Sequence, residues 1–258
     1  MDILITNGTI FQKNSFSGGA ELSIEYLAKY LSKDHKVKVL TGHKSKEIKT
    51  LKINNKFTIV YVNDEQILEF LDQELSSKHY DYVFTQLIWS EFTMKMCSKH
   101  KIPCVYFVRS FGVKIDLSNK NPEAPSILVG NTFYVQKKLK QIYKRKPLML
   151  YPCIDFDRVK TKSRVDPKFI GMFNPVKVKG GEIFGKIARS NSNKKFIAVR
   201  GWTNLKDYNN NWDMNKMMQM TRAHGEKGAY SPGEPNLSGI RNLKIVNSTP
   251  ALAKYLRS

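Results

Sequence analysis

At 258 residues with 41% hydrophobic content, the chain is long enough to bury a substantial core, which excludes disorder as its main description. Its 43 Lys and Arg against 22 Asp and Glu give a formal charge of +21, favouring polyanionic partners: nucleic acid, an anionic membrane surface or phosphorylated ligands. The excess is diffuse, eleven charges in residues 1–165 and ten in 166–258, so it equally fits a composition rich in lysine and asparagine.

The three cysteines, Cys97, Cys104 and Cys153, have no CxxC spacing, and the five histidines show no ligand spacing. Neither a metal site nor a disulfide framework is expected, and reduced thiols fit an intracellular protein. The N-terminus, MDILITNG, enters a strand directly, without a signal or a membrane-spanning stretch. A cytoplasmic protein is expected, at most peripheral on a membrane.

Ile3 to Thr6 predicts a strand that ends at Asn7 and Gly8. Ser17, Gly18 and Gly19 then precede a helix with Leu22, Ile24, Leu27, Ala28 and Leu31 on its apolar side, and Val37, Val39 and Leu40 supply the next strand. The glycines let a ligand approach the backbone or serve a tight turn. They do not form GxGxxG, so a dinucleotide fingerprint is not supported.

Strands follow at Phe57 to Val62, Tyr82 to Leu87, Cys104 to Val108, Ile127 to Val129 and Leu148 to Tyr151. Helices from Glu65 to Leu75, from Glu91 to Lys99 and from about Thr132 to Tyr143 alternate with them. Near-continuous apolar strands alternating with helices predict an α/β fold, a doubly wound parallel sheet. Ligands in such sheets sit beyond the carboxyl ends of the strands, here the loops after Thr6, Leu87, Val108 and Val129.

Between Pro152 and Lys168 the chain turns to charge and loop, which places a domain boundary there and divides it into 1–165 and 166–258. Beyond it, Phe169, Ile170, Met172 and Phe173 read as a buried strand, and Asn174 and Pro175 break it. Lys177, Lys179, Gly180 and Gly181 form a loop whose amides can point at an anion, just ahead of a helix carrying Ile183, Phe184, Ile187 and Ala188 at helical spacing. The plain alternative is a strand-turn-helix with solvated lysines. A strand at Lys195 to Arg200 follows, then a weakly periodic stretch from Asn204 to Gly239 in which Met214, Met217, Met218 and Met220 fill space or line a groove. Leu243 to Val246 is a last strand, and a helix begins at Pro250 to Arg257.

In three passages the sequence resembles the family 4 glycosyltransferases, which have the GT-B fold and use sugar nucleotides. These are SGGAE at 17–21; ILVGNTFYVQKKLKQIY with MLYPCIDFDRV at 127–159, where Cys153 replaces a usual glycine; and FNPVKVKGGEIFGKIA, whose KG pair precedes a helix. The resemblance implies two Rossmann-like domains, acceptor mostly on the first and donor on the second, with neither metal nor covalent cofactor. It implies donor-diphosphate contacts from Lys177, Lys179, Gly180 and Gly181, with Gly18 and Gly19 leaving room for the same group. Arg109 takes a place where the family often has a histidine near the sugar, so it is the catalytic candidate, with an ordinary surface arginine as the alternative. The family's arginine before the KG lysine is absent, leaving Lys177 to substitute as a point charge without a bidentate fork. LKIVNSTPALAKYLRS is similar to the approach to the family's paired-glutamate segment, and no such segment follows. The expectation is therefore an incomplete second domain: a truncated glycosyltransferase, or one part of a split enzyme that a complementing chain completes. The implied partners are a nucleotide-sugar donor and a glycan or lipid-linked acceptor, with peripheral contact to an anionic membrane inferred from charge alone. The second reading is a non-catalytic module descended from such an enzyme. Nucleic-acid binding rests only on charge, since no basic motif interleaved with aromatics is present.

Overall fold

The computed structural model describes residues 1–7, 19–43, 46–63, 65–109, 115–154, 168–200 and 235–247. The chain divides into two compact units, Met1–Ile154 and Asp155–Ser258. The predicted boundary at residue 165 lies outside the described residues.

The first unit is built in the order β1 (Asp2–Asn7), α1 (Gly19–Leu31), β2 (Lys36–His43), β3 (Lys49–Lys52), β4 (Phe57–Asn63), α2 (Ile67–Ser77), β5 (Tyr82–Gln86), α3 (Ser90–His100), β6 (Cys104–Val108), β7 (Ile127–Gly130), α4 (Phe133–Tyr143) and β8 (Leu148–Met149). Among the described residues its eight strands lie in the order β3-β4-β2-β1-β5-β6-β7-β8, every pairing parallel except β3 with β4. All five residues of β6 are buried, as its unbroken apolar run requires of a strand covered on both faces.

Successive residues of a strand point to opposite faces, and the core divides accordingly. Ile3, Ile5, Val37, Val39, Val105 and Phe107 pack with Ile24 and Ala28 of α1. Leu4, Leu40, Val62, Val83 and Tyr106 pack with Leu71 of α2, Met94 of α3 and Leu139 of α4. Helices therefore cover both faces, and the sheet is doubly wound. Moving outward from β1, the chain adds β2 and β4 on one side, then returns to add β5 to β8 on the other. The reversal falls between β1 and β5, where open α/β sheets form a crevice beyond the carboxyl ends.

In the second unit the described strands β9 (Ile170–Phe173), β10 (Phe196–Val199) and β11 (Leu243–Val246) form a parallel sheet with β10 in the middle, and α5 (Gly181–Ser190) follows β9. Phe184 and Ala188 of α5 pack on Phe196 and Ala198 of β10, with Leu237 and Ile240 closing the cluster. Phe184 and Phe196 meet edge to face at 5.6 Å between centroids.

Several sequence expectations are corrected. β3, KTLK, shows no strand signal because all four residues are exposed, and its place at the sheet edge comes from antiparallel pairing to β4. Leu87 does not extend β5; its φ of 56° turns the chain into a 3-10 turn over Leu87–Trp89. Leu150 and Tyr151 lie beyond β8. β9 is not buried as expected: Ile170 and Phe173 are exposed, and among the described residues β9 pairs on one side only, with β10. Met214, Met217, Met218, Met220 and the helix expected at Pro250 to Arg257 lie outside the described residues.

Candidate functional site

At the β1/β5 reversal the strand ends carry polar side chains at the close of apolar runs. Gln86 ends β5 and is fully buried. Its Nε2 donates to Asn7 Oδ1 at the end of β1 (3.0 Å) and to the Ala20 carbonyl in the first turn of α1 (3.1 Å). Its Oε1 accepts from Arg109 Nε at 2.8 Å, and Arg109 Nη2 donates to Ser23 Oγ at 3.2 Å. Ser23 Oγ also accepts from the Cys153 amide at 3.3 Å. One amide side chain thus ties together β1, β5, α1 and the residue that follows β6.

Arg109 is half-buried, and its guanidinium lies over the Phe107 ring, 5.3 Å from the centroid. Burial lowers its pKa from the ordinary arginine value, an effect that Cys153 and Glu21 nearby oppose. It remains a cation, since an arginine does not deprotonate in a protein. Among the described residues no carboxylate forms an ion pair with it. Two neutral side chains, Gln86 and Ser23, orient its guanidinium. Gly19 opens α1 in the same cluster with nothing within 4 Å of a Cβ placed on it, while Gly18 lies outside the described residues. Leu87, immediately after Gln86, holds a left-handed backbone conformation, the kind of local strain that collects at functional sites.

Replacing Gln86 with leucine removes the donor to Ala20 and the acceptor for Arg109. Each buried group left unpaired costs about 1–3 kcal/mol. Urea unfolding is expected to show a loss in that range or above, and Arg109 should lose its fixed orientation.

The second cluster lies at the carboxyl end of β9. Asn174 takes a φ of 55°, and a 3-10 turn over Lys177–Lys179 leads to Gly180 at φ 87°, ψ 21°, which caps α5. A Cβ on Gly181 would stand 2.2 Å from the Pro175 carbonyl oxygen, so only glycine fits. The amides of Gly180 and Gly181 differ from the sequence expectation: they donate to the carbonyls of Lys177 (2.9 Å) and Val176 (3.1 Å), and the Lys179 amide donates to Val176 (3.0 Å). The turn uses these donors to hold its own shape. What α5 offers an anion is the dipole and the first-turn amides of Glu182 and Ile183. Lys179 is exposed beside them, and Lys177 sits 3.6 Å from Glu182 in an exposed ion pair. Lys177, Lys179, Gly180 and Gly181 are thus together in the second unit, and Arg109 and Gly19 are together in the first.

Gln86, Asn7 and Ser23 are absent from the sequence-derived site. For Gln86 and Asn7 the available signal was a polar side chain at the carboxyl end of an otherwise apolar strand; Ser23, inside α1, carried none. Cys97, Cys104 and Cys153 are free thiols. The adjacent Cys97 and burial push the Cys104 thiol well above its usual range, which makes it a poor nucleophile. Among the described residues no group of three or more His, Cys, Asp or Glu is placed to hold a metal ion.

No protein-family model matches the chain, and no curated protein matches it by sequence. Solved structures do match in fold. The catalytic domain of starch synthase IV from Arabidopsis thaliana, bound to ADP and acarbose, aligns over 99% of this chain and 76% of its own at a TM-score of 0.52 and 9% identity. An alpha,alpha-trehalose-phosphate synthase (UDP-forming) from Burkholderia vietnamiensis aligns over 98% and 74% at 0.54 and 8%. An alpha-glucosyltransferase in complex with UDP and a 13-mer DNA containing an HMU base aligns over 100% and 71% at 0.54 and 12%. At such identities the likeness concerns the fold, which is the α/β fold of GT-B glycosyltransferases.

Proposed function

We propose that the protein is a sugar-nucleotide-dependent glycosyltransferase, of the family 4 type its motifs resemble, moving a sugar from a nucleoside-diphosphate donor to a hydroxyl of a glycan or lipid-linked acceptor. The observation that carries this reading is the turn ahead of α5. Lys179 stands at a helix N-terminus, at the carboxyl end of a parallel strand, on a fold whose solved representatives include proteins holding UDP or ADP.

In this reading Lys179 contacts the donor diphosphate, the first-turn amides of α5 and its dipole lie behind it, and Lys177 contributes once the diphosphate draws it from its exposed pair with Glu182. As the glycosidic bond breaks, its electron pair leaves on the diphosphate, and preorganised cationic groups lower the barrier by stabilising that charge. The family resemblance implies that side chains supply this charge without a metal. Arg109, oriented by Gln86 and Ser23, is the first unit's candidate catalytic cation.

Thermal unfolding with and without UDP, ADP or GDP tests the reading. Ligand at about 100 times its dissociation constant stabilises the folded chain by about 2.7 kcal/mol, seen as a rise in melting temperature. If none of the three raises the melting temperature, the transferase reading fails and a non-catalytic binding module takes its place.

A further inference from the structure

From Ser126 to Ile154 the chain contains no Asp or Glu, while it carries Lys137, Lys138, Lys140, Lys144, Arg145 and Lys146. The segment forms one edge of the first unit: β8 is the terminal strand among the described residues, and α4 buries Val135 and Leu139 in the core. On α4, Phe133, Lys137 and Lys140 recur at helical spacing, Lys144 follows at the C-cap, and all four are exposed. Lys138 lies over the Tyr134 ring, 5.9 Å from its centroid.

The same edge shows large apolar side chains that the core does not use. Phe133 and Tyr134 are each 65% exposed, Leu148 58% and Tyr151 55%. Phe133 and Tyr151 meet edge to face at 6.4 Å, so the aromatic part is contiguous across α4 and the end of β8. Single exposed apolar residues need no explanation, but an aromatic-aliphatic cluster beside five lysines, in a stretch of sequence from 126 to 154 without a carboxylate, does.

We propose that this edge of the first unit docks onto an anionic membrane surface. Among the described residues no helix is long and apolar enough to cross a membrane, so the contact is peripheral. Lysines supply the long-range attraction to anionic headgroups, and the aromatic and leucine side chains insert at the headgroup boundary, where amphipathic rings are most stable. A polynucleotide fits less well. Its recognition favours the planar fork of arginine, and the one arginine here, Arg145, donates to the carbonyls of Leu117, Pro125 and Ser126. Phosphate and base edges also leave Leu148 without an apolar partner. A second copy of this +21 chain would meet the patch with like charge. The inference stands independently of the transferase reading, since it uses none of the residues proposed to bind donor or sugar.

The test is co-sedimentation of the whole chain with vesicles of 30% phosphatidylglycerol in phosphatidylcholine, and with vesicles of phosphatidylcholine alone. Binding is expected only to the anionic vesicles, and it should weaken as salt is raised. Each lysine near the surface contributes about fivefold, so Lys137→Glu/Lys140→Glu/Lys144→Glu should reduce binding about 100-fold or more. Phe133→Ser/Tyr151→Ser should also reduce it, at unchanged charge. Lys46→Glu/Lys49→Glu/Lys52→Glu, at and beside β3 on the far edge of the sheet, should retain most of it. Each variant is first checked for an unchanged melting temperature, and the two patch variants provide independent readings. The proposal is overturned if the anionic vesicles do not retain the wild type, or if both patch variants bind undiminished. It is equally overturned if a duplex or single-stranded oligonucleotide binds in a way that depends on the lysines but not on Phe133 and Tyr151.

Discussion

Replacing Gly181 with alanine is expected to destabilise the second unit by about 3 kcal/mol or more, at the severe end of what overpacking costs. The new Cβ would lie 2.2 Å from the Pro175 carbonyl oxygen and 2.7 Å from its carbon, and both are backbone atoms that cannot rotate aside. The turn has little freedom to yield. Gly181 donates to the Val176 carbonyl, Lys179 donates to the same carbonyl, and Asn174 is tied to Val199 of β10. Relief would require α5 to move off Phe196, opening the core of the unit. Gly180→Ala provides the contrast. Nothing lies within 4 Å of a Cβ there, so only the left-handed backbone at φ 87° is penalised, at about 1–2 kcal/mol. Urea unfolding of the two variants should therefore rank Gly181→Ala well below Gly180→Ala. Equal stability of Gly181→Ala and wild type would mean that the turn is not built as described.

Glu74→Gln should cost the first unit about 3–5 kcal/mol at neutral pH, as breaking a buried ion pair does. Glu74 is buried on α2, and its carboxylate accepts from Lys38 of β2, from Lys78 and from the Tyr80 hydroxyl. Burial alone would raise its pKa, but the three donors outweigh burial and hold the carboxyl below the ordinary glutamate value. A folded-state pKa below the unfolded one contributes stability that is present above the unfolded value, about 4.3. That contribution is lost as pH falls through the lower folded value. The wild-type advantage over Glu74→Gln is therefore expected to be full at pH 7 and to shrink below about pH 4. Replacing both charged partners, as in Lys38→Met/Glu74→Leu, should recover part of the loss, because no uncompensated charge stays buried although the Tyr80 hydroxyl loses its acceptor. A constant difference from pH 7 to pH 3 would show that the carboxylate is not what holds this network.

The parts of the fold that were legible in the sequence are those where burial writes itself into consecutive residues. Cys104 to Val108 is apolar throughout because helices cover both faces of β6, and its predicted bounds match the strand observed. Lys49 to Lys52 carries no such record: all four residues face solvent, so only the partner strand defines them. The stop at Gln86 was missed because Leu87 looks like one more apolar strand residue, whereas its left-handed backbone ends the strand. For the candidate site, the glycines before α5 marked the helix start. Whether their amides point outward or close a turn depends on the carbonyls of Val176 and Lys177, which composition does not reveal. The polar cluster around Gln86 was hidden for a different reason. Its partners Asn7, Ala20 and Arg109 lie 79, 66 and 23 residues away in sequence, and strand order alone brings them together.

Calorimetric titration of the whole chain with UDP, ADP and GDP, for wild type and for Lys179→Ala, tests the central claim most directly. The side chain of Lys179 is exposed, so its loss should leave the melting temperature unchanged. A hydrogen bond to a charged group contributes about 1.5–3 kcal/mol. Wild type should therefore bind one of the nucleoside diphosphates, and Lys179→Ala should bind it roughly 10- to 100-fold more weakly. Equal affinity in the two proteins would contradict the assignment of the diphosphate to the turn ahead of α5.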